Sequence, residues 1–147
     1  MTARQAYEDH DWQRLQFVPL AAFHAVAYAD GAISAPETGV FLTKLTQVAG
    51  LTVPAANLVR EVFESVRDDH ERLLQRFEDA RLGGLTFDLV LREAKALLDA
   101  AEPVQAKTFR DVIRILCLAI AEASPIVGLK VTDQEQVAID HVTGLLA

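Results

Sequence analysis

Asp30, Gly31, Ile33 and Glu37 stand at the spacing of the second half of an EF-hand calcium loop. In that motif the glycine makes the sharp turn, the apolar residue plugs the loop inward and the glutamate is the last ligand. The first half is missing, because the first and third ligand positions fall on Val26 and Tyr28, which offer no carboxylate. An ordinary EF-hand is therefore not expected. Asp30 closes an apolar helix, where orphan carbonyls and the negative end of the helix dipole disfavour an anion. A carboxylate beside such carbonyls suits a hard cation. It equally suits a basic side chain, and Lys44, Arg60 and Lys130 could serve. Glu122 lies at the end of a second apolar helix, and Glu135 follows Thr132 as Glu37 follows Ser34. Both of those pairs also spell a capping box, in which hydroxyl and carboxylate satisfy each other's backbone amides. On that second reading Gly31 is a C-cap, Ile33 a core plug, Ser34 an N-cap, and no ligand is involved.

The other reactive side chains point to structure. His24 lies on an apolar helix and reads as a core histidine bonded to a neighbour. His70 and His141 adjoin acidic residues, but adjacent helical residues point apart, so neither makes a ligand pair. The single cysteine, Cys117, sits in the apolar run Ile115–Ile120, whereas a reactive thiol needs an electropositive, partly exposed setting. Phosphate-binding glycine loops, paired cysteines, His-Glu-x-x-His and Gly-x-Ser-x-Gly are all missing. The residues give no support to an enzyme.

The elements that must hold these groups are helices. Asp9 or Asp11 caps a first helix, and Pro19 either kinks it or starts another that runs to Ala29. Ser34 opens the next, which Gly50 ends. Apolar stripes then mark helices from Pro54 to Val66, over Leu73 to Phe77, from Thr86 to Ala100, from Pro103 to Ala121 or Glu122, and from Thr132 to Leu146. Asp68-Asp69 and Gly83-Gly84 punctuate the series, and a loop holds Pro125 and Gly128. No stretch alternates with period two, so no sheet is expected. The fold class is all-α, a compact bundle of about seven or eight helices. Residues 1–147 form one domain. An internal repeat is visible: Phe17–Gly31 overlays Phe109–Ala123 without a gap, and after six extra residues Ile33-Ser34-x-x-Glu37 overlays Val131-Thr132-x-x-Glu135. It implies that the helices over 19–29 and 104–121 are the two most buried, and that they pack together.

The net charge of −7 repels phosphate backbones, and the basic residues are scattered singly, so nucleic acid is not an expected partner. The same charge favours cations. The longest charge-free apolar stretch, Ile115–Ala121, falls far short of the ~20 residues a bilayer requires, so membrane insertion is not expected either. The acidic first residues do not read as a signal peptide, and one unpaired cysteine fits a reducing compartment; a cytoplasmic location is expected.

The run Ala25-Val26-Ala27-Tyr28-Ala29-Asp30-Gly31-Ala32-Ile33-Ser34-Ala35-Pro36-Glu37 resembles the signature of the TerB-like family. That is the tellurite-resistance group, whose domain also occurs in some membrane-anchored co-chaperones. The resemblance implies an all-helical fold with a pseudo-twofold pair of helix–acidic loop–helix hairpins at its centre. It also implies that the acidic loop residues gather on one face and bind metal. Carried over, Asp30, Gly31, Ile33 and Glu37 match in the first hairpin and Glu135 in the second. Glu122 stands for the family aspartate, Ala123 for the glycine, and Pro125 to Lys130 are inserted. The implied metal residues are thus Asp30, Glu37, Glu122 and Glu135, with calcium, magnesium or manganese as the cofactor. The expected function is a non-enzymatic bacterial stress-response module of the tellurite-resistance kind. The rival is a scaffold that binds a protein partner or forms a homo-oligomer, its acidic loop only a capped turn. Carboxylates that converge without a basic partner would favour the cation. Carboxylates that each cap their own helix, or pair with Arg or Lys, would count against the cation and favour the scaffold.

Overall fold

A computed structural model describes residues 2–29, 31–123 and 131–147. Among them are seven α-helices, two short 3-10 turns and no strand. The helices are α1 (Asp9–Ala27), α2 (Ala35–Ala49), α3 (Asn57–Asp68), α4 (His70–Leu82), α5 (Phe87–Asp99), α6 (Pro103–Glu122) and α7 (Asp133–Leu146). This is the all-helical bundle the sequence implies. The loop holding Pro125, Gly128 and Lys130 lies outside the described residues, as does Asp30.

Helix α1 is the axis of the molecule. From Leu15 to Ala27 it buries nearly every residue, and it packs against α3, α4, α5, α6 and α7. The expected cap is corrected: Glu8 is the N-cap and makes no side-chain cap hydrogen bond, while Asp9 and Asp11 lie inside the first turn, where the dipole favours anions. Pro19 neither starts nor ends a helix here: α1 runs through it. The lost backbone hydrogen bond is offset by the burial of Pro19 with its apolar neighbours on every side of the helix. The helix stops at Ala27, two residues before the expected Ala29, and Gly31 follows with φ +105°, a left-handed backbone that glycine adopts without strain.

Helix α6 packs on α1, as the repeat implies, and also on α2, α3, α5 and α7. It is not buried all round. Phe109, Ile113, Leu116, Cys117 and Ile120 face inward, while Val104 and Ile115 are 54% and 51% exposed. The expectation that the helix over 104–121 is one of the two most buried is thus corrected. The polar residues Lys107, Asp111 and Arg114 hold that side of α6 in solvent, and no further helix covers it.

The middle of the chain closes the bundle. Asp69 alone separates α3 from α4, and its side chain makes no cap hydrogen bond. Phe77 of α4 meets Phe17 edge-on at 5.2 Å between ring centroids and stacks on Phe87 of α5 at 6.0 Å. At the end of α4 the Leu85 amide donates to the Ala80 carbonyl, and Gly84, at φ +106°, permits that closure. The 3-10 turn Ala3–Ala6 is held to α3 by Glu61, whose carboxylate accepts from the amides of Ala3 at 2.8 Å and Arg4 at 3.2 Å.

Candidate functional site

The two hairpins α1–α2 and α6–α7 end in the same local structure. In the first, Ser34 takes extended backbone and its Oγ accepts from the Glu37 amide at 3.2 Å, while Glu37 Oε1 accepts from the Ser34 amide at 2.9 Å. In the second, Thr132 Oγ1 accepts from the Glu135 amide at 3.1 Å, and Glu135 Oε1 accepts from the Thr132 amide at 2.9 Å. Both capping boxes are complete, so each glutamate does cap its own helix.

Capping leaves the burial unexplained. Capping-box glutamates ordinarily sit at the surface, yet Glu37 and Glu135 both have 0% exposure. Each stands in the first turn of its helix, where the dipole supports a negative charge. Glu135 Oε2 is buried and has no hydrogen-bond partner among the described residues. Such an atom carries its full desolvation cost unless something unseen in the protein scaffold satisfies it.

Glu122, the last residue of α6, is exposed, and Asp30 lies outside the described residues. Among those residues no three His, Cys, Asp or Glu side chains gather as a metal site. Of the candidate basic partners, Arg60 pairs with Glu61 and Glu64, each at 3.9 Å.

The histidines and the cysteine settle into defined settings. His24 is 7% exposed and one ring nitrogen, Nδ1, lies 2.8 Å from the Leu20 carbonyl, to which it donates. Phe23, Tyr28, Phe77 and Phe87 surround the ring. Burial above all, with a smaller push from the Arg81 charge, holds its pKa below the usual histidine range. Cys117 is buried and its thiol is pushed up to about 12 by that burial, far from the range of a nucleophile. His141 Nε2 lies 2.8 Å from Asp88 Oδ1 of α5, a pair exposed to solvent. Sequence reasoning missed it, because 53 residues separate the partners and the adjacent Asp140 drew attention instead.

Two hollows also escaped the sequence. One of about 580 Å³ lies beneath the N-terminal turn, between Tyr7 and Gln105. A smaller one, of about 190 Å³, opens between α2 and α6. Both form where residues distant in the chain meet, so no local pattern announces them. No described helix is long and apolar enough to cross a membrane.

The fold and site therefore define a class, an all-helical protein with two capped hairpins that each bury a glutamate. No protein-family model, characterised protein or solved structure matches this chain.

Proposed function

We propose that this chain is a non-enzymatic, TerB-like module of bacterial stress response. In this reading it works in the cytoplasm and uses its paired hairpins to hold a divalent cation: calcium, magnesium or manganese. One observation carries the reading. Glu135 Oε2 is a buried carboxylate oxygen with no hydrogen-bond partner among the described residues, placed where the repeat relates it to the equally buried Glu37. A hard cation takes carboxylate oxygens and relieves the cost of burying them. The net charge of −7 raises the local concentration of such ions. The cation would be held by Glu135 and Glu37, and its role would be to fix the two hairpins as one binding face for a partner.

The test is the melting temperature of chelator-treated full-length chain. Millimolar calcium, magnesium or manganese should raise it by mass action, and Glu135→Gln should remove the response while leaving the capping box formed. A melting curve that none of the three ions moves overturns the cation. The scaffold reading then stands in its place, favoured by the capping role of both Oε1 atoms and by the exposure of Glu122.

A further inference from the structure

Between α2 and α6 the surface opens into a slot of about 190 Å³. Phe63 and Leu116 form its floor, with 0% and 1% exposure, and Val48 and Val112 form its walls. Leu51 and Ile115 rim it, and both keep large apolar side chains in solvent, at 37% and 51% exposure. Apolar groups left open around a concave floor offer a surface that an apolar chain would cover. The slot falls below the ~300–1,000 Å³ of sites for drug-sized ligands, so its occupant is narrow, a short aliphatic chain.

Lys44 supplies the polar side of the slot. It lines the same slot and is half-buried. Lysine stems lie along apolar walls and carry the ammonium to the rim. Most other basic residues of this acidic chain have carboxylate partners, among them Arg14 with Glu93, Lys95 with Asp99 and Arg110 with Asp99. Lys44 makes no ion pair among the described residues. A cation left unpaired beside an apolar slot is complementary to an anion with an apolar tail. The overall charge of −7 repels polyanions most strongly and a singly charged ligand least.

We infer that this slot binds a small aliphatic monocarboxylate, with the tail on Phe63 and Leu116 and the carboxylate on Lys44. The slot is lined by helices of both hairpins but by neither buried glutamate, and neither reading depends on the other.

The experiment titrates the full chain with sodium octanoate and, separately, with 1-octanol, followed by calorimetry and by methyl resonances in nuclear magnetic resonance. Octanoate should bind saturably, shift the methyl signals of Val48, Leu116 and Ile115, and bind about tenfold tighter than octanol, the weight of one charge-assisted hydrogen bond. Lys44→Gln should bring octanoate down to the octanol affinity and leave octanol unchanged. Ile115→Ser should weaken both ligands, and since both positions are partly open to solvent the variants should keep the fold. Equal affinity for octanoate and octanol, or octanoate binding unchanged in Lys44→Gln, overturns the proposal. So does the absence of any slot-localised shift at millimolar ligand. A dimer seen in sedimentation that Ile115→Ser dissociates, with no octanoate binding, overturns it in favour of a second copy on this face.

Discussion

At the scale of single residues, the chemistry of this protein depends on what burial does to a polar group. Cys117 shows the simplest case. Its thiol stays protonated at every physiological pH because the thiolate would be stranded in the core. Cys117→Ser places a stronger hydrogen-bonding group in the same site and should cost about 1–3 kcal/mol, measured by urea unfolding. Thiol reagents should label the native chain only as fast as it opens. His24 adds a pH dependence. Its folded pKa lies below the unfolded value of about 6.5, so the unfolded chain takes up the proton first. The stability that neutral His24 contributes is therefore present above about pH 6.5 and is lost as the pH falls through that value toward the lower folded pKa. Comparing the parent with His24→Gln between pH 7.5 and pH 5, at about half-unit steps, should show a steeper acid loss in the parent. Parallel curves would contradict it.

At the scale of elements, helix ends decide where side chains sit. Ser34 and Thr132 each satisfy an amide that would otherwise be orphaned, so Ser34→Ala and Thr132→Ala should each destabilise by about 1 kcal/mol. In chelator-treated protein their effects should add, because the hydrogen bonds of one box involve no residue of the other. A double mutant no less stable than either single one would show that the two boxes are not independent. Gly84 makes a complementary prediction at a helix C-terminus. A Cβ there would meet nothing within 4 Å, yet the φ of +106° is strained for alanine, so Gly84→Ala should cost about 1 kcal/mol through the backbone alone. α1 shows tertiary context overruling a local signal. Pro19 ought to break a helix, but a helix buried on all sides gains more from remaining continuous than it loses in one hydrogen bond.

At the scale of the molecule, all seven helices contribute to one hydrophobic cluster, and α1 and α6 touch most of the others. No group of helices has a core of its own. Thermal unfolding of the full chain should therefore be a single cooperative transition, with far-ultraviolet and tryptophan signals coinciding and with calorimetric and van't Hoff enthalpies equal. Trp12 reports on this well, since it lies buried in that cluster. Two separated transitions would show that the hairpins fold apart from α3, α4 and α5.

Most of the helices and both capping boxes could be read from the chain, because those features depend on residues three or four apart. Apolar spacing along Phe109, Ile113 and Leu116 names an inward face, and Ser34-x-x-Glu37 names a helix start, whatever lies around them. The chain left open whether one helix runs through Pro19 or a new one starts there, and it did not show the open side of α6, since each depends on what packs against the helix. The same holds for the carboxylates. The chain placed Glu37 and Glu135 at matching positions, but only the packed hairpins bury both, and only that packing sets Glu122 on the surface. The Asp88–His141 pair and the slot beside Lys44 arise from helices far apart in sequence. Periodicity fixes which side of a helix is apolar; which neighbour covers it, and what gap remains, is decided by how the helices close on one another.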